Sequence, residues 1–114
     1  MRQTTIVRMA HASFSELIKS ETPTLLDFHA EWCGPCKMMK PVLEQLKSDL
    51  GDRVKVIQID IDRNQKLAEM FQIRGVPTFA IFKSGELKWM QAGMQPLHQL
   101  KNLVEQFSGE PVNH

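Results

Sequence analysis

Apolar positions along the chain recur with two different periods, and the switches between those periods mark out its elements. Residues 4–9 form a short β-favouring segment. Ser13 and Glu16 then stand at capping-box spacing, and Phe14, Leu17 and Ile18 give an i, i+3, i+4 stripe that predicts a first short helix. Beyond Pro23, residues 24–30 read as a buried strand, mostly apolar with one acid, Asp27, inside it. Met39, Val42, Leu43, Leu46 and Leu50 hold helical spacing until Gly51 and Asp52 end it, which makes this the longest helix. Pro41 lies inside it and predicts a kink, because proline lacks the backbone donor and crowds the carbonyl one turn back. Residues 54–61 read as a second buried strand, and 64–71 as a short helix with Leu67, Met70 and Phe71 on one side. Residues 78–83, a Ser84-Gly85 turn and residues 86–91 predict a hairpin. From about Pro96 a final helix carries Leu97, Leu100, Leu103, Val104 and Phe107, and residues 108–114 are predicted to be a loose tail.

Strands joined through crossover helices, followed by a hairpin and a last helix, place the chain in the α/β class, with a central mixed β-sheet flanked by helices on both faces. No repeat, low-complexity tract or linker divides it, so residues 1–114 are expected to form one domain. Hydrophobic residues at 42% and charged residues at 24% suffice for a core and exclude a disordered tail or a fibre. Fourteen Lys plus Arg against 13 Asp plus Glu leave a net charge of +1, without the footprint expected of a nucleic-acid or membrane-surface binder. No apolar stretch approaches the roughly 20 residues of a membrane span, so a soluble chain is expected. The first residues lack the apolar run and cleavage site of a secretory signal, so a cytoplasmic location is expected.

The two cysteines, Cys33 and Cys36, change this picture from generic to chemical. Their number and spacing do not suit a stabilising disulfide framework, and a bridge over so short a loop removes little entropy from the unfolded chain. A strand running into a Cys-x-x-Cys that opens a helix sets a sulfur where unpaired N–H groups and partial positive charge favour a thiolate. Cys33 is therefore expected to be the more acidic, attacking thiol. Cys36, one turn further in and on the same face, is expected to be the resolving thiol, shielded by the helix. Pro35 suits the first helical turn and stiffens the loop. Asp27, six residues before Cys33 among apolar neighbours, is expected to be desolvated, with a raised pKa suited to exchanging a proton with Cys36. The plainer account of such an acid is a strand-end carboxylate bonded to backbone or water.

Other residues invite less. The four histidines, His11, His29, His98 and His114, are scattered without ligand spacing, and two cysteines make half of a four-coordinate zinc site, so no metal is expected. The methionines, Met38 and Met39 among them, read as helix filler and core, and Trp89 as sheet packing.

Trp32-Cys33-Gly34-Pro35-Cys36-Lys37, preceded by Asp27-Phe28 and followed by Gly75-Val76-Pro77-Thr78 and Gly93, resembles the thioredoxin family over essentially the whole chain. The resemblance implies the thioredoxin fold and a thiol-disulfide oxidoreductase that reduces protein disulfides through a mixed-disulfide intermediate. It also implies Cys33 as nucleophile, Cys36 as resolving thiol, Asp27 as buried proton carrier and Pro77 as a cis proline facing the dithiol. Trp32, Gly34, Pro35, Val76, Pro77, Ala92 and Gly93 would form the apolar patch that docks substrates, whose extended chains pair with the backbone at Val76. The implied partners are disulfide-containing proteins and an NADPH-dependent, flavin-containing thioredoxin reductase, with no cofactor beyond the dithiol and a monomer as the working unit. Two positions depart from the family pattern: His29 stands where many members have Trp, and Gln58 where many have Lys. Loss of that cation is expected to raise the pKa of Asp27 further, with His29, on the same strand face, partly replacing the charge. An oxidase or isomerase on the same fold, and a binding module using the apolar patch alone, are the competing readings. The Gly34-Pro35 pair argues against the oxidase.

Overall fold

The computed structural model of the chain describes residues 6–8 and 14–108. Their elements are β1 (Ile6–Arg8), α1 (Phe14–Leu17), β2 (Thr24–His29), α2 (Gly34–Leu50), β3 (Lys55–Asp60), α3 (Gln65–Met70), β4 (Thr78–Lys83), β5 (Glu86–Ala92) and α4 (Leu97–Gln106), with a 3₁₀ turn at Gly51–Arg53. The expected capping residue Ser13 and the tail beyond Ser108 lie outside the described residues.

The five described strands form one mixed sheet in the order β1-β3-β2-β4-β5. β3 runs parallel to both β1 and β2, the β2–α2–β3 connection being a helical crossover, while β4, reached through α3, lies antiparallel to β2 and β5. The α/β class and the mixed sheet between two helical layers read from the sequence are therefore borne out.

Alternation along the strands decides which layer each side chain joins. Leu25, Val56, Phe79 and Ile81 face one side, where Met39, Leu43, Leu46 and Leu50 of α2 and Leu100 and Val104 of α4 complete a core. Leu26, Phe28, Ile57, Ile59, Ala80 and Phe82 face the other, against Ile18 and Leu67. On that second side Phe71 meets Phe14, Phe28 and Phe82 at ring-centroid separations of 5.5, 5.5 and 5.7 Å. The same alternation sends Asp27 to the α2 side with Leu25, and Gln58, its register partner on β3, to that side with Val56.

Helix α2 runs on through Pro41, which is exposed. Its far end is closed by a residue the periodicity did not single out. Lys47 is only 8% exposed, and its ammonium donates to the carbonyls of Gly51 (2.8 Å) and Val54 (2.5 Å), satisfying acceptors where the helix ends and β3 approaches. Gly51, at φ 58°, supplies the left-handed turn that stops the helix.

The methionines require a correction. Met39 is fully buried, but Met38 and Met70 are 62% and 70% exposed, so they are not core. In α3 Leu67 is buried and Phe71, the residue that caps the helix, packs on the same cluster, whereas Met70 stands about 100° around the helix from Phe71 and is exposed. Trp89 packs on the α2/α4 core, as expected of a sheet residue. These placements make a direct test: Phe71→Ala is expected to cost about 3 kcal/mol of unfolding free energy and Met70→Ala less than about 0.5, read from paired denaturant titrations.

Candidate active site

The dithiol sits where the C-terminal end of β2 passes into the N-terminus of α2. Strand β2 ends at His29, the chain turns with the Cys33 amide donating to the Ala30 carbonyl (3.2 Å), and Gly34 opens the helix. Cys33 is itself the N-cap: its backbone is extended (φ −92°, ψ 113°), and its sulfur accepts the Cys36 backbone N–H at 3.1 Å. A sulfur thus fills the place usually taken by a Ser or Asp oxygen, at the positive end of a 17-residue helix. Pro35 falls in the first turn, where its missing donor costs nothing. In this structure Cys33 and Cys36 are joined as a disulfide, with their Cα atoms 5.3 Å apart.

The two sulfurs differ in surroundings rather than in exposure. Cys36 is 6% exposed, in keeping with the expected shielding, and Cys33 is equally buried at 4%. Both pack with Ala30, Ile61 and Val76. What separates them is direction: the Cys33 sulfur lies 3.6 Å from the Val76 carbonyl oxygen, whereas Cys36 lines a cavity of about 350 Å³ together with Asp27.

Asp27 is 2% exposed, and its Oδ1 has no hydrogen-bond partner among the described residues. Burial pushes its pKa up from 3.8 to about 7, and a side-chain hydrogen bond with Gln58 pulls the other way. The expected desolvated acid is therefore present, and the plain strand-end carboxylate is not. His29 and Gln58 line the same cavity, as alternation along β2 and register with β3 require. Lys37 and Lys40 of α2 line it too. Sequence reading passed over Lys40, whose only signal was its position four residues after Cys36.

The remaining residues named from the resemblance converge from three elements. The Val76–Pro77 peptide bond is cis, as that resemblance implied. Gly93 donates its N–H to the Pro77 carbonyl at 2.8 Å, from a left-handed conformation (φ 94°) that favours glycine, and Ala92 pairs with Thr78 across the β4–β5 ladder. Ala92 and Gly93 are exposed and Val76 is half-buried, but Pro77 is buried, so it offers a partner its backbone setting more than its ring. Trp32, Gly34 and Pro35 are exposed beside Cys33. The Trp32 indole, 69% exposed, is steadied by Nε1–H donating to Asp62 Oδ2 at 2.9 Å, a contact across 30 residues that no local pattern could announce.

A helix-capping dithiol, a buried acid behind its second sulfur and a cis proline beside its first, all at one end of the central strands of a mixed sheet, define a thiol-disulfide oxidoreductase. Comparison with known proteins narrows the class: the thioredoxin family model matches residues 5–106. The chain is 43% identical over 90 residues to a thioredoxin of Rickettsia bellii, covering 79% of this chain and 83% of that one. It is 42% identical over 99 residues to a thioredoxin of Bacillus subtilis, covering 87% and 94%. Among solved structures it is similar to a mutant thioredoxin from Halobacterium salinarum, with a TM-score of 0.82 at 34% identity over 94% of this chain and 93% of that one. The chain belongs to the thioredoxin family, whose members are protein-disulfide oxidoreductases.

The raised pKa of Asp27 ties stability to pH with a definite sign. Below about 3.8 the carboxyl is protonated in both folded and unfolded chains; as pH climbs toward 7 the unfolded chain ionises first, and the folded state loses stability until its own carboxyl ionises. A rise from 3.8 to about 7 corresponds to roughly 4 kcal/mol. Asp27→Asn should therefore be more stable than wild type at pH 8 by up to about that amount, with the two converging below pH 4, in denaturant titrations of the disulfide forms. Parallel curves across that range would show that Asp27 is not desolvated.

Proposed function

We propose that this chain reduces disulfide bonds in other proteins, Cys33 attacking and Cys36 resolving. The observation that carries the assignment of roles is the N–H of Cys36 donated to the sulfur of Cys33 at the positive end of α2, a setting that favours negative charge on that sulfur once the pair is reduced. Cys33 thiolate attacks one sulfur of the substrate disulfide, breaking its S–S bond and forming a mixed disulfide. The substrate's other sulfur leaves as thiolate and takes a proton from water. Cys36 gives its proton to the Asp27 carboxylate and attacks the Cys33 sulfur; the bond between Cys33 and the substrate breaks, the substrate's second sulfur leaves as thiolate and takes a proton from solvent, and Asp27 returns its proton to solvent, so the substrate is released as a dithiol. Two electrons have passed to the substrate, and the protein is left with the Cys33–Cys36 disulfide.

A pKa near 7 supports Asp27 in this role, since a proton carrier works best when its two forms are both populated at working pH. Val76 supports backbone pairing with an extended substrate, because its carbonyl stands 3.6 Å from the attacking sulfur. Trp32, Gly34, Pro35, Ala92 and Gly93 surround that point and are exposed, which suits them to docking. The dithiol is the only redox group this cycle needs, and an NADPH-dependent thioredoxin reductase is the partner that returns it to the reduced state. A monomer acting in the cytoplasm fits the reading. No helix among the described residues is long and apolar enough to cross a membrane.

Cysteine variants test the assignment. With a disulfide-bonded protein as substrate and dithiothreitol as electron source, Cys33→Ser should abolish turnover and form no adduct, whereas Cys36→Ser should accumulate a mixed disulfide through Cys33 that mass spectrometry can map. Adducts through Cys36 would reverse the roles. A Cys33→Ser/Cys36→Ser chain that keeps full biological function would favour the binding module.

A further inference from the structure

The cavity behind Cys36 holds a buried carboxyl whose nearest strand neighbour, Gln58, is neutral, so any fixed positive charge available to Asp27 must come from elsewhere. The ionisable groups facing it are His29 from β2, Glu31 from the β2–α2 turn, and Lys37 and Lys40 from α2, besides Cys36 itself. β4, the other neighbour of β2, sets Phe79 opposite Asp27 and adds no charge.

Helix geometry separates the two lysines. Lys40 follows Cys36 by four residues, so the two share a face, and a helical side chain leans back over the preceding turn, here the turn that carries Cys36. Lys37 is one position from Cys36 and points about 100° away around the helix. The flank of α2 on which Lys40 stands is fixed by a second observation. Lys47, seven residues and two turns later on that flank, donates to the Val54 carbonyl at the start of β3. From Lys47 to Lys40 the helix covers about 10 Å, and from Val54 to Gln58 the strand covers about 13 Å. Because α2 and β3 run in opposite directions at this interface, both paths lead to the same end of the layer, where Lys40 and Gln58 line one cavity.

We propose that Lys40 is the positioning charge of this site: its side chain, which lines the Asp27–Cys36 cavity, raises the fraction of Asp27 carboxyl that is ionised at neutral pH and ready to take the proton of Cys36. This rests on the role given to Asp27 above. Burial alone drives the carboxyl toward its protonated form, which cannot accept a proton, and an ammonium facing it across the cavity opposes that drive without drying the site. Lys40 is exposed, so the effect acts through solvent and is modest and sensitive to salt.

The test is a titration of the Asp27 carboxyl carbon by NMR in the intact disulfide form of wild type, Lys40→Gln, Lys40→Arg, Lys37→Gln and His29→Gln. Lys40→Gln should raise the midpoint by a few tenths of a pH unit, up to about half a unit at low salt, and the difference should shrink in roughly 0.5 M salt. Lys40→Arg should restore the wild-type midpoint, and Gln58→Lys added to Lys40→Gln should lower it again by supplying a cation from the strand. An unmoved midpoint in Lys40→Gln, or a shift as large in Lys37→Gln or His29→Gln, overturns the proposal. The role of Asp27 has its own readout: if Asp27→Asn releases the mixed disulfide at the wild-type rate at pH 7, the proton-carrier reading fails whatever the titrations show.

Discussion

One hydrogen bond organises the chemistry of this molecule: the backbone N–H of Cys36 donated to the sulfur of Cys33. It exists because a strand that ends at His29 delivers the chain to the start of a helix, leaving the first turn with donors that nothing in the helix can satisfy. Everything that fixes the helix therefore fixes the sulfur. Met39, Leu43, Leu46 and Leu50 hold α2 on the sheet, and Lys47 closes its far end on the carbonyls of Gly51 and Val54. Pro35 keeps the first turn helical without asking for a donor. The energy of the contact itself is small, on the order of 1 kcal/mol. Its importance lies in being made at one sulfur and not at the other.

The second sulfur is prepared by a different and opposed interaction. A carboxyl on β2 is carried into the layer between sheet and helix by strand alternation, where neighbours are Leu25 on its own strand and Gln58 across the ladder. The fold gives up stability to hold it there, since an acid with an unsatisfied oxygen is poorly solvated as an anion. The same desolvation brings the carboxyl into the pH range where it can exchange a proton with Cys36 across a shared cavity. In the proposed cycle, attack and resolution draw on distinct physical sources, a helix terminus for Cys33 and a desolvated acid for Cys36.

Much of this was legible in the sequence, and the parts that were share a cause. Strand and helix periods placed the described elements to within a residue or two, because each carries its own apolar pattern: Thr78–Lys83 was read residue for residue. Asp27 stood out as the one acid in an apolar strand, and Cys33 and Cys36 by spacing alone. What could not be read was set by contacts between distant segments. Asp62 meets Trp32 across 30 residues, and the place of Lys40 at the cavity follows from which flank of α2 faces β3, a matter that Lys47 and Val54 decide. Met70 was misplaced because the buried stripe of α3 runs from Leu67 toward Phe71, about 100° around the helix from Met70. That Cys33 is as buried as Cys36 was not legible either, since it follows from Val76 and Ile61 packing against the pair from distant parts of the chain.

If the asymmetry between the sulfurs is the heart of the site, it should be visible without any substrate. The reduced protein treated with limiting iodoacetamide at pH 7, and mapped by mass spectrometry, reports which sulfur is the better nucleophile. Capping of α2 by Cys33 requires alkylation at Cys33 first, by about tenfold or more over Cys36. Equal labelling, or labelling of Cys36 first, would contradict the claim that the helix terminus selects the attacking thiol.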